Sequence, residues 1–199
     1  GKPRIHYIFN NRNLGFGTAH NIAIRHSQRN GCAYHLVLNP DVSFGNEVIP
    51  KVVSLMEAHS NVGLVMPKVL YPDGRIQHLA KLLPSPGILF VRRFFTFWRR
   101  LLDRNNHIYE LKFSGYDRIM DVPYLSGCFM MLRNDCLKKI GLFDEDIFLY
   151  TEDIDLTRRI HAQFRTVFYP EVSIYHVHER GSYKRLIPFL LHIRSAVTY

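Results

Sequence analysis

The sequence predicts an α/β fold with a mainly parallel central sheet flanked by helices. Three observations predict it. Short apolar runs at 34–38 and 62–66 have the length of buried strands rather than of helices. Segments between and around them place apolar residues at helical spacing. Turn-forming residues separate the two patterns, as at Asn30-Gly31, Asn39-Pro40-Asp41 and Pro67. Strands alternating with helices at this interval belong to parallel sheets, whose ligands bind beyond the carboxyl ends of the strands.

Taken in order, residues 4–9 alternate and are expected to form a strand. Asn10 to Gly17 form a turn-rich loop. A helix follows, with Ala19, Ile22, Ala23 and His26 on one face, and stops at Asn30-Gly31. A strand at 34–38 ends abruptly at Asn39-Pro40-Asp41. The next helix carries Ile49, Val52, Val53 and Met56, and a strand at 62–66 is closed by Pro67. After a less regular stretch, strands are expected at 120–124 and 128–132, joined near Ser126-Gly127. A helix over 134–140 ends at Gly141, and an acidic loop leads into a helix that ends near Phe164. Strands at 166–169 and 172–176 follow, and helical spacing resumes from about residue 184.

The 199 residues are expected to form a single domain. A net charge of +9 points to an anionic partner, whether nucleotide phosphates, a membrane surface or nucleic acid. The three cysteines lack zinc spacing and read as reduced thiols, which suggests a cytoplasmic protein. No apolar run is long enough to span a membrane. The aromatic and basic stretch from Arg92 to Arg100 suits an anionic membrane surface, or else a core helix or substrate loop with exposed arginines.

Four features carry candidate chemistry. Asp41, just past a buried strand, can hold a divalent cation or simply complete a turn. Asp144, Glu145, Asp146, Glu152, Asp153 and Asp155 crowd six of the 17 carboxylates into twelve residues of a basic chain. Such crowding suits either a helix start capped by Thr151 or a site that faces cations and presents a base, with Asp153 the candidate. His176 and His178 alternate on a strand and share a face, as metal ligands or as surface residues. Arg158, Arg159 and Arg180 either neutralise a diphosphate or lie on a solvated face, the second being preferred for Arg159.

In order and spacing these pieces resemble glycosyltransferase family 2, in its rhamnosyltransferase-like branch. The resemblance rests on Asn13-Leu14-Gly15-Phe16-Gly17 with Asn21, on Leu36 to Asp41, and on Ser126-Gly127-Cys128-Phe129-Met130. It continues through Gly141 to Glu145, Thr151 to Leu156, and His178 with Gly181-Ser182. It implies a GT-A fold in which Asp41 belongs to a Mn2+ or Mg2+ site completed by His178 or His176, with His178 favoured from its spacing to Ser182. It implies that Asp153, beside Glu152, takes the proton of the acceptor hydroxyl. Asn13, Gly15, Gly17, Asn21, Asn39 and Arg180 would contact the donor, and Ser126, Gly127 and Cys128 would line the sugar and acceptor region. Gly127 suits a place where a side chain would block close approach.

The donor implied is a sugar nucleotide, dTDP-linked or UDP-linked, with rhamnose the first guess. The acceptor implied is a glycan or lipid-linked glycan at the inner face of a membrane. The family's metal motif is usually Asp-x-Asp, and here Asn39 holds its first position, as this branch often has it. Residue 1 is expected to fall after the family's first βαβ unit. Two other readings compete. One is a non-catalytic remnant of the fold that binds a sugar or a partner. The other is a basic nucleic-acid-binding module, which the acidic cluster and the lack of a recognition motif disfavour.

Overall fold

The computed structural model describes residues 5–84, 106–149 and 151–177. Helix α1 spans Phe16–Arg29. Strands β1 (Tyr34–Leu38) and β2 (Val42–Phe44) follow, then helix α2 (Val48–Ala58) and strand β3 (Val62–Leu70). The short strands β4 (Ala80–Lys81), β5 (Met120–Asp121) and β6 (Tyr124–Leu125) lead to β7 (Phe129–Arg133). Helices α3 (Asn134–Ile140) and α4 (Glu152–His161) precede the long strand β8 (Arg165–His176).

The main sheet has the order β1-β7-β3-β8-β2, with β5 paired to β8, and β4 and β6 form a separate ribbon. It is mixed rather than mainly parallel. Among the described residues only β3 and β8 pair in parallel, while β7 runs antiparallel between β1 and β3. The expected direction does hold for β1, β3 and β8, which all point the same way. The strand between β1 and β3 comes from later in the chain and enters from the opposite end. Local periodicity reports strands but not their partners, so it missed this insertion.

Several boundaries also move. Strand β3 runs on through Pro67 to Leu70 instead of stopping. Proline has no N–H for a ladder, and here the register to β8 shifts just after Pro67, where the pairing skips from Tyr169 to Ser173. The two strands expected in this region are therefore one bulged strand. Conversely, the strand expected at 120–124 divides at Pro123 into β5 and β6, which join different sheets. Residues 5–9 form no strand, and Ile5 and Tyr7 are 92% and 84% exposed. Alternation gave that segment a face, but no described strand pairs with it.

Helix α1 buries Gly17, Asn21 and Ile24, a face rotated from the one expected. It stops where expected, with the N–H groups of Gly31 and Cys32 donating to the carbonyls of Gln28 and Ser27. Helix α1 packs on β1 and α4, α3 on β7 and α4, and α4 on β3 and β8, while α2 packs on β3 and β8. Val37, Leu64, Met66, Met130, Leu132 and Phe168 make the centre of the core. Arg133, at the end of β7, donates to the carbonyls of Met56, His59 and Val62. A cation there suits the negative end of α2 and fixes that helix to the sheet.

The sheet order has a consequence for function. The carboxyl ends of β1, β3 and β8 and the amino end of β7 meet along one edge. Asn39 N–H donates to the Cys128 carbonyl, Val177 N–H to the Asp41 carbonyl, and Gln77 N–H to the Val69 carbonyl. Segments distant in sequence are tied together there by their backbones.

Candidate functional site at the strand ends

Two constellations sit on this edge. In the first, Asp41 follows β1 and His176 ends β8. The carboxylate Oδ2 of Asp41 lies 3.4 Å from His176 Nε2. His176 is buried at 4% exposure, whereas the Asp41 side chain keeps access to solvent. The other ring nitrogen, Nδ1, lies 3.0 Å from Gln77 Oε1. A carboxylate oxygen and an imidazole nitrogen side by side form a donor set that suits Mn2+ and similar divalent ions. Among the described residues no group of three or more His, Cys, Asp or Glu side chains could hold a metal ion. The pair fits a cation that takes its remaining ligands from phosphate and water.

The second constellation holds Asp153 in the first turn of α4. Its Oδ2 accepts the Gly127 N–H at 2.9 Å and the Tyr124 hydroxyl at 3.4 Å. Its Oδ1 accepts the N–H of Ile154 at 2.8 Å. Desolvation raises its pKa above the ordinary carboxylate value, against the pull of these N–H groups and of Lys81. The side chain is nonetheless only half-buried, so a substrate can reach it. That combination of raised pKa, fixed orientation and access is what a general base needs. Glu152, beside it in sequence, is buried.

Gly127 lies against this carboxylate. A Cβ at position 127 would stand 3.4 Å from the Asp153 Cβ and 3.3 Å from the Phe16 ring. Lys81 lies over the Tyr124 ring at 5.6 Å, which extends the wall beside Asp153. Cys128 joins the two constellations. Burial pushes its thiol up to about 12, and the charges of Asp153 and Asp41 add to the shift. Its side chain lies in the core and bonds to Ser126 rather than lining a sugar site.

The family model described as "Glycosyltransferase like family 2" matches residues 1–187 of this chain. The chain belongs to that family. Among curated members, it is 28% identical over 186 residues to N-acetylglucosaminyl-diphospho-decaprenol L-rhamnosyltransferase of Mycobacterium tuberculosis, covering 87% of this chain and 59% of that one. It is 26% identical over 161 residues to low-salt glycan biosynthesis hexosyltransferase Agl10 of Haloferax volcanii, covering 80% and 47%. This family 2 chain therefore spans about half to three fifths of the length of the curated relatives it matches. Among solved structures, GalNAc-T7 with UDP, GalNAc and Mn2+ matches with a TM-score of 0.58 at 14% identity, over 88% of this chain and 32% of that one. The shared fold is of the GT-A type.

Not every residue the family 2 resemblance nominated faces this edge. Asn21, expected to contact the donor, is fully buried. Its amide donates to the Phe143 carbonyl and to Glu145, and its oxygen accepts the Phe143 N–H. Both ends of the amide are thus used inside the protein. Asn13 accepts the N–H of Gly15. Gly15 has φ +84 and leaves room for the Phe148 carbonyl, which a Cβ would meet at 2.5 Å. Gly17 packs on Phe143. This motif holds the loop 141–149 against α1.

The acidic cluster likewise meets cations of the chain itself. Glu145 pairs with Arg25, and Asp155 pairs with Arg158 and Arg159. Arg159 also donates to the carbonyls of Ile140 and Leu142, so it is a clamp between α3 and α4 and not a solvated face. Thr151 stands at the N-cap of α4 without a side-chain cap bond. His178, Arg180, Tyr150, the Arg92 to Arg100 stretch and the segment from residue 184 lie outside the described residues. Gln77 was missed by sequence reasoning, since one glutamine in a turn after β3 carries no motif.

Proposed function

We propose that this chain carries the catalytic centre of an inverting, metal-dependent glycosyltransferase. It moves a sugar from a nucleoside-diphosphate donor, dTDP-linked or UDP-linked, to a glycan or lipid-linked glycan acceptor. The single observation that carries the proposal is the Asp153 carboxylate, held by three donors in a desolvated but reachable place at the strand ends. Two named relatives support it, one a rhamnosyltransferase acting on a diphospho-decaprenol acceptor and one a hexosyltransferase of glycan biosynthesis. Rhamnose is accordingly the first donor sugar to test. Among the described residues no helix is long and apolar enough to cross a membrane. Work at the cytoplasmic face of a membrane, on a lipid-linked acceptor, is part of this proposal.

Asp153 takes the proton from the acceptor hydroxyl as its oxygen attacks the anomeric carbon. The bond to the leaving nucleoside diphosphate breaks on the opposite face, which inverts the centre. Donation from Gly127 and Ile154 keeps the carboxylate aimed and limits how far desolvation can raise its pKa. A bound Mn2+ or Mg2+, held by Asp41 and His176 with His178 as a further candidate, would neutralise charge on the leaving diphosphate. Asn39, whose backbone is fixed to Cys128, stands next to that pair.

Thermal unfolding with Mn2+ alone and with Mn2+ plus dTDP, UDP or GDP tests the donor site, because a ligand of the folded state raises the melting temperature. A nucleotide-selective rise that requires Mn2+ is expected, and Asp41→Ala should abolish the Mn2+-dependent rise. An unchanged Mn2+ response in Asp41→Ala would exclude that carboxylate as a ligand.

A further inference from the structure

Gln77 belongs to none of the motifs above, yet it is buried to 3% exposure between β3 and β8. Its side-chain nitrogen donates to the carbonyl of His176 at 2.6 Å and to that of Leu70 at 3.3 Å. Backbone carbonyls only accept, so the NH2 end of the amide must face them. Its oxygen must then face His176 Nδ1, at 3.0 Å. An amide oxygen also only accepts, so Nδ1 must carry a hydrogen whatever the charge of the ring. The opposite tautomer would set two acceptors 3.0 Å apart in a buried place. In the neutral ring Nε2 therefore holds the lone pair, and Nε2 is the nitrogen 3.4 Å from Asp41 Oδ2.

We propose that Gln77 is a positioning residue that fixes His176 as its Nδ1–H tautomer, so that Nε2 and Asp41 present one nitrogen and one oxygen to a divalent cation. The second half rests on the reading of Asp41 and His176 as cation ligands, and the first half stands without it. Gln77 thus links β3 to the site through the parallel pair β3 and β8, and it orients a ligand it never replaces.

The test starts on the metal-free 199-residue chain. Two-bond 1H–15N correlation of labelled histidine reports which ring nitrogen holds hydrogen, and the His176 signals are those lost in His176→Asn. Hydrogen on Nδ1 is expected, and an Nε2–H neutral ring would overturn the proposal. The protonation state itself is read on wild type without bound metal, and His176→Asn serves only to assign the signals.

Mn2+ affinity is then measured by electron paramagnetic resonance for wild type, Gln77→Leu and Gln77→Glu. Both variants lose the amide donors, but only Glu keeps an oxygen opposite Nδ1. A loss of about ten- to a hundredfold is expected for Leu, the usual effect of removing such a partner, with most of the affinity kept in Glu. Equal losses in the two variants would reduce Gln77 to a structural brace and overturn its orienting role. Absence of Mn2+ binding in wild type would instead overturn the cation reading, with the tautomer result still deciding what Gln77 does to the ring.

Discussion

Two polar regions of this molecule look alike in the sequence and differ in the structure. One joins α1 to the loop 141–149 and the start of α4, through Asn21, Arg25, Glu145, Asp155 and Arg159. The other lies at the strand ends, with Asp41, His176, Gln77 and Asp153. Both are rich in charged and amide side chains set in turn-like sequence. In the first, each group is satisfied by another part of the chain: Asn21 by Phe143 and Glu145, Arg159 by Asp155 and two carbonyls. In the second, backbone N–H groups hold the Asp153 carboxylate, whose pKa burial has raised, and the Asp41 side chain still reaches solvent. A polar motif is a candidate for chemistry when its hydrogen bonds orient a group without consuming it.

The largest expected effect breaks the comparison at the second region. Asp153→Asn should lower transfer by about 100- to 10,000-fold while nucleotide binding is retained. Steady-state transfer and nucleotide binding measured on the same preparation check it, and lost nucleotide binding would contradict the role as base. The pH profile sharpens it. An acid whose pKa is raised in the folded protein stays protonated over a window where an ordinary carboxylate is ionised. A base must be ionised, so the rate should fall as the pH drops into that window, above the usual carboxylate value. A profile flat through it would mean that another group takes the proton.

The first region should respond in stability instead. Asn21→Leu leaves the N–H and carbonyl of Phe143 without their buried partner. Each such orphan costs about 1–3 kcal/mol, so a loss of about 2–6 kcal/mol is expected. Urea denaturation gives the loss. Below the new unfolding midpoint, the affinity for nucleotide should stay close to that of wild type. A large loss of nucleotide affinity in a well-folded variant would return Asn21 to the donor site.

How much of this was legible follows from what each signal encodes. The bounds of β1 and α3 read correctly because Asn39-Pro40-Asp41 and Gly141 end their patterns abruptly. Asp41 and Asp153 were legible as candidates because order and spacing set them in a family pattern. The insertion of β7 was not legible, because pairing depends on residues about a hundred positions away. The structural use of Asn21 was hidden for the same reason, its partners lying 122 to 124 residues distant. Between the two histidines, spacing favoured His178. His178 lies outside the described residues, and His176 stands beside Asp41 because β8 pairs with β2 at Val42 and carries residue 176 to the end of the strand that starts after Asp41.

Gly127 is where the two kinds of role meet, and it gives the smallest expected effect. Its N–H holds Asp153, and its missing side chain leaves room between Asp153 and Phe16. In Gly127→Ala the new Cβ would sit 3.3 Å from the Phe16 ring and 3.4 Å from Asp153 Cβ, tight but short of a clash. A few tenths of an ångström of movement relieves it, so the fold should lose about 1 kcal/mol or less. That movement displaces the Asp153 carboxylate from its aim, and misplacement of a reacting group costs rate more than binding. The expected result is a kcat lowered by about tenfold with a nearly unchanged KM for donor. A raised donor KM at unchanged kcat would mean that residue 127 shapes the sugar pocket and leaves the base alone.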